Sequence, residues 1–100
     1  MSETDLLTKL CEWYVEQCNG NWEHVMGVLI DTLDNPGWSV KIDLRETESE
    51  KHDFETIKFN ESESNWLACS IVGSEFKGFG DPSKLPVILE HFLRFVGKLQ

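Results

Sequence analysis

Basic side chains are scarce in this sequence: nine Lys and Arg stand against eighteen Asp and Glu, a formal charge of −9 over 100 residues. Phosphate contacts are made by Lys and Arg, so no nucleic acid partner is expected, and an anionic membrane surface is disfavoured on the same ground. No apolar run approaches the roughly 20 residues that a membrane span requires. The opening Met-Ser-Glu-Thr-Asp has neither the basic nor the apolar segment of an export signal, which predicts a cytoplasmic location. Cysteine is limited to Cys11, Cys18 and Cys69, and no two are spaced as C-x2-C. That odd set predicts free thiols in a reducing compartment, neither a disulfide scaffold nor a zinc site. Glycine-rich phosphate loops are absent too: Gly73, Gly78 and Gly80 are spaced like turn residues, and no Lys-Ser/Thr comes after them. No cofactor and no metal are expected.

The chain does contain apolar and aromatic material enough for a core. The hydrophobic fraction is 40%, with four tryptophans at 13, 22, 38 and 66. A single domain spanning 1–100 is expected, because a chain of this size buries about 65% of its unfolded surface and has no room for a second core. Thr4 or Asp5 is placed to cap a first helix running to about Cys18. Leu7, Leu10, Cys11, Tyr14 and Cys18 draw an apolar stripe along it, with Glu12 and Glu16 off the stripe. Asn19-Gly20 is a stop, since a helix end suits Gly and tolerates Asn in the left-handed conformation. His24 to Leu33 reads as a strand with apolar residues on both faces, hence a central one. Asp34-Asn35-Pro36-Gly37 is turn chemistry, with Gly37 in the positive-φ position. Trp38, Val40, Ile42 and Leu44 then alternate with Ser39, Lys41, Asp43 and Arg45, completing a hairpin.

Residues 46–53 read as an exposed loop and Phe54 to Asn60 as a weaker strand. Glu61-Ser62-Glu63-Ser64 makes a polar connection, and Asn65 to Phe76 is a fourth, internal strand. Gly78 and Gly80 punctuate the chain after that strand, and Asp81 is placed to cap a last helix with Pro82 at its first position. Leu85, Ile88, Leu89, Phe92, Phe95, Val96 and Leu99 form that helix's apolar stripe. The expected fold is therefore α+β, ordered α-β-β-β-β-α: a four-stranded antiparallel meander sheet with the N- and C-terminal helices packed on it.

Constellations that carry chemistry are weak. Cys11, Cys18 and His24 suggest a metal set only loosely, and a thiol on a helix stripe packs as a small hydrophobe. Cys69, in mid-strand, is placed for burial and low reactivity. Asp31, Asp34 and Asp43 flank the hairpin, and neighbouring carboxylates can split their pKa values for acid/base work, but eighteen acids make such neighbours common. No catalytic residue is assigned. The densest charge feature is Glu46, Glu48, Glu50, Asp53, Glu55, Glu61 and Glu63, offset in part by Arg45, Lys51 and Lys58. A rigid acidic patch steers a basic partner; the same charges also keep a loop and an edge strand soluble.

Two runs resemble one family together. Gln17-Cys18-Asn19-Gly20 and Trp22-Glu23-His24 after Trp13-Tyr14, then Thr32 through Trp38 with Ile42-Asp43-Leu44, look like the immunity protein 53 pattern. Asn65-Trp66 through Cys69 and the Gly-x-Gly-Asp-Pro lead into the last helix are also similar, whereas Glu46 to Ser64 departs most. The resemblance implies a non-catalytic antidote of a bacterial polymorphic toxin system, which binds and occludes a cognate toxin domain in the cytoplasm. Many such toxins are nucleases, so a basic toxin is expected. The expected contacts are Glu46, Glu48, Glu50, Asp53, Glu55, Glu61 and Glu63, followed by Trp22 and Glu23 as a surface anchor. Trp22, Glu23 and His24 have an alternative role in fixing the crossing from helix to strand. The expected state is a monomer or weak homodimer. The alternatives are a homodimeric interaction module using the uncovered sheet face, or an acid/base hydrolase using Asp31, Asp34 or His24.

Overall fold

The structure is a computed structural model and describes residues 3–99. In chain order the elements are α1 (Glu3–Gln17), α2 (Trp22–Val25), β1 (Val28–Leu33), β2 (Gly37–Asp43), β3 (Ile57–Ser62), β4 (Asn65–Val72), β5 (Glu75–Gly80) and α3 (Leu85–Phe95). The strands form one sheet in the order β1-β2-β5-β4-β3, every neighbouring pair antiparallel. The α+β class and the terminal helices are as expected, but the sheet has five strands where four were predicted. Only β3-β4-β5 is a meander; the segment between β2 and β3 crosses to the far edge, so that β2 pairs with β5.

The extra strand comes from Gly73-Ser74. Asn65 to Phe76 was expected to be one strand, but Gly73 and Ser74 both have positive φ, +61° and +63°. A two-residue turn with positive φ at both positions matches the twist of the strands it joins, and Val72 lies opposite Glu75.

The two faces of the sheet are set by the register. Ile42, Phe76 and Ile71 lie in one row, and Val40, Gly78 and Cys69 in the next. Both rows face the helices, and Val40, Ile42, Cys69 and Phe76 are fully buried. The alternation predicted from Trp38 to Leu44 is realised, and the Trp38 indole donates to the Pro82 carbonyl at 3.0 Å. The strand expected from His24 is corrected: His24 lies in α2, and β1 is an edge strand with Leu29 and Ile30 exposed. Gly37 is a strand residue without positive φ. It is needed for space, since a Cβ there would stand 2.4 Å from the Gly80 carbonyl oxygen.

α3 buries Ile88, Leu89, Phe92 and Leu93 against the sheet. Gly78 and Gly80, expected as punctuation, lie inside β5 beneath it. A Cβ on Gly78 would meet Ile88 Cγ2 at 2.4 Å, and one on Gly80 would meet Lys84 Cβ at 2.5 Å, so the missing side chains let helix and strand approach. The stripe on α1 is also corrected. Its buried residues are Leu6, Leu10 and Trp13, while Leu7, Cys11, Tyr14 and Cys18 are exposed. Trp13 sets the roll of the helix by packing edge-on against Trp22 (5.8 Å) and Phe92 (5.0 Å), because the largest apolar side chain gains most from burial. Thr4 and Asp5 stand inside α1, not before it.

Asp81 is not a helix cap either; α3 begins at Leu85 with Pro86 in its first turn. Its carboxylate is only 1% exposed. One oxygen accepts the Trp66 N–H at 2.9 Å and the Lys84 ammonium at 2.8 Å, and the other accepts the Ser83 N–H at 2.8 Å and hydroxyl at 2.6 Å. Burial pushes the carboxyl pKa up, but the Lys84 and Ser83 side chains and the two backbone amides outweigh it and hold the group well below the usual carboxylate range. Because the folded pKa is depressed, this stabilisation is present above the unfolded value near 3.8 and is lost as pH falls below it. Thermal melts are expected to show Tm falling from about pH 4 downward, and Asp81→Asn is expected to lower Tm at neutral pH and flatten that acid slope.

Candidate partner-binding surface

The Asn19 to His24 segment is a self-bonded corner. The Glu23 carboxylate accepts the N–H groups of Asn19 and Gly20 at 2.9 and 2.8 Å, and the Asn19 side-chain oxygen accepts those of Asn21 and Trp22 at 3.0 and 2.9 Å. Gly20 supplies the positive φ, +91°. Glu23's own amide and those of Asn19 and Gly20 hold its carboxyl below the ordinary value against the opposing effect of desolvation. Trp22, expected as a surface anchor, is 1% exposed and donates its indole N–H to the Arg45 carbonyl at 3.0 Å. Trp22 is therefore core, and Glu23, which is half-buried, braces the corner around it.

The segment between β2 and β3, expected as an exposed loop, is pinned at several points. Leu44 is fully buried and Ser49 nearly so. The Thr47 hydroxyl donates to the Leu44 carbonyl at 2.7 Å. Glu46 has φ +64°, and its N–H donates to the Glu50 carboxylate at 3.0 Å. Phe54 packs edge-on against Phe76 and Phe95. From this frame Glu46, Glu48, Asp53 and Glu55 project into solvent, with Glu50 half-buried.

The acidic residues that are dense in sequence do not form one patch. Glu46 to Glu55 stand at the end of the sheet where β2 finishes. Glu61 and Glu63 stand at the opposite end, where β3 turns into β4. About 16–17 Å of β3 separates them at ~3.3 Å per residue. The first group gains a member from elsewhere: Glu16 of α1 lines the same recess as Glu48 and Ser49. Its place beside the first group was not legible, since it depends on how α1 docks. Glu16 also pairs with Lys98.

The acid/base set is not assembled. Asp31 lies opposite Ser39 on β1, its carboxylate accepting the Thr32 N–H, and Asp34 is in the turn after β1. His24 precedes the other end of β1 and is exposed. Asp43 is four residues along β2 from Asp31's partner and is chelated by the Arg45 guanidinium at 2.6–3.1 Å. That hydrogen-bonded pairing lowers the Asp43 pKa. Among the described residues no three His, Cys, Asp or Glu side chains converge as metal ligands. Cys69 is buried, and burial pushes its thiol up to about 11. On the face opposite the helices, Lys41, Lys77 and Ser70 lie in one row, and Ser39, Phe79 and Ala68 in the next.

Fold and surface together define a small two-layer α+β protein with a self-bonded corner around the buried Trp22 and a framed acidic end. A family model described as immunity protein 53 matches residues 7–97. The chain belongs to that family. No curated protein and no solved structure matches it.

Trp22→Ala is expected to cost about 3–5 kcal/mol of stability in chemical denaturation, the range for truncating a buried aromatic. Thiol labelling of the folded protein is expected to modify Cys11 and Cys18 quickly, and Cys69 only after unfolding.

Proposed function

We propose that this chain is an antidote that binds a cognate bacterial toxin domain and occludes its working surface without catalysing a reaction. The observation that carries the reading is the family match over residues 7–97, since the partner of an immunity protein is a toxin. The framed acids Glu46, Glu48, Asp53 and Glu55 support a basic toxin, such as a nuclease of a polymorphic toxin system. Charge held on a rigid frame raises the rate of productive encounter, whereas the same charge on a mobile loop is blurred. Occlusion needs no chemistry: a standard interface covers about 800 Å² of each partner, enough to close an active-site cleft. The reading places the complex in the cytoplasm of the producing cell, with the free chain a monomer or weak homodimer.

The test is co-expression with the toxin domain encoded beside this chain. Survival of the cells and co-elution of the two proteins on gel filtration are expected; cell death with separate elution would overturn the reading. Glu46→Lys combined with Glu48→Lys is expected to slow association about tenfold at low salt and to flatten its salt dependence. An on-rate unchanged across a salt series in stopped flow would remove the steering role.

A further inference from the structure

The sheet ends in two edges that are built differently. β3 carries Lys58 and Glu61, and its register shifts between Asn60 and Ser62. Charge and a bulge keep an edge from pairing with another chain. β1 reads Val-Leu-Ile-Asp-Thr-Leu, and its register with β2 is unbroken from Val28 to Leu33. It has no Lys, Pro or bulge, and Leu29 and Ile30 are 57% and 36% exposed.

The backbone groups that β1 offers can be identified. The Gly27 carbonyl accepts the Asp43 N–H at 3.1 Å. Bonded and non-bonded pairs alternate along an antiparallel ladder, so Leu29, Asp31 and Leu33 turn their backbone toward β2. Val28, Ile30 and Thr32 turn theirs out of the sheet. Thr32 bears this out, because its N–H is taken by its neighbour's carboxylate, Asp31, at 2.8 Å. Val28 and Ile30 present the rungs that remain.

Beside this edge a groove of about 560 Å³ runs between α1 and the start of β1, lined by Cys11, Tyr14, Val15, Met26 and Val28 with Glu23 among them. Val15 is 67% exposed. The acids at the groove and along the edge are Glu23 and Asp31, with Lys41 opposite Leu29 on the neighbouring strand. A second copy would bring the same acids and its own −9 to this edge. A strand with Lys or Arg facing Asp31 and apolar residues facing Ile30 and the groove would meet both faces with complementary chemistry. The edge is also continuous with the acidic end, because Trp22 of α2 bonds the Arg45 carbonyl just before Glu46.

We propose that the cognate toxin docks by adding an extended segment, alternately apolar and basic, to the free edge of β1 as a sixth strand, with apolar side chains entering the α1–β1 groove. This rests on the antidote reading and names the seat and chemistry of its partner. The experiment tracks amide exchange by NMR in the full chain, with and without the toxin domain encoded beside it. The Val28 and Ile30 amides are expected to exchange quickly in the free chain and at least 100-fold more slowly in the complex, while Leu29 and Asp31 are slow in both. Ile30→Pro removes an outward donor and leaves the bonds to β2 intact. It is expected to weaken binding at least 100-fold, and Ile30→Lys serves as a second variant if the proline perturbs the circular dichroism spectrum. A complex in which Val28 and Ile30 still exchange quickly would overturn the edge proposal and leave the antidote reading standing. Absence of any complex would defeat both. Protection of the same amides without toxin, with a doubled mass in sedimentation, would give the edge to a second copy and overturn the proposal.

Discussion

The carboxylate of Asp81 is the one charge among the described residues that the fold takes out of water, and the rest of the architecture depends on how it is compensated. Its partners come from the start of β4 (Trp66), the turn after β5 (Ser83) and the approach to α3 (Lys84). A buried charge must be paired and hydrogen-bonded, so satisfying this one fixes three segments at a single corner. From there α3 descends onto Gly78 and Gly80, and Phe92 is delivered to both Phe76 and Trp13. Trp13 holds Trp22, and Trp22 holds Arg45, where the acidic frame begins. Core and surface are linked by a short series of identifiable contacts.

Much of this fold is legible in the residues themselves. Strict alternation from Trp38 to Leu44, the Asn19-Gly20 stop and most of the stripe on the last helix derive from local periodicity and turn chemistry. Leu93, fully buried, was not on that stripe, and Val96 and Leu99 pack on the core from beyond the end of α3. The misreadings share a cause: each position had two local interpretations that only tertiary contacts separate. Leu7-Cys11-Tyr14 and Leu6-Leu10-Trp13 are both acceptable stripes, and the choice was made by Trp22 and Phe92 from elsewhere in the chain. Asn65 to Phe76 is apolar enough for one buried strand, and that impression outweighed the turn signal of Gly73-Ser74. Apolar residues on both faces of Val28 to Leu33 suggested a covered central strand, whereas the structure leaves that hydrophobicity at an edge.

The surface was less legible, for a different reason. Charge density along a sequence does not measure charge density in space: β3 runs through the middle of the acidic stretch and carries Glu61 and Glu63 away from Glu46 to Glu55. Glu16 joins the latter from a helix thirty positions earlier, because α1 ends beside the loop. Trp22 illustrates the converse. Its polar neighbours gave it the look of a surface anchor, yet those neighbours, Asn19 and Glu23, spend their hydrogen bonds on the backbone around it.

The crossover between β2 and β5 also sets an order of assembly. The first hairpin is complete at Asp43, but the strand that flanks it ends at Gly80, 37 residues later. At about 5–20 residues per second that interval lasts roughly 2–7 s during synthesis. Through it, Val40 and Ile42 have neither the neighbouring strand nor the last helix to cover them. The first hairpin therefore waits on distant sequence, and its apolar face closes only after β5 and α3 have been made.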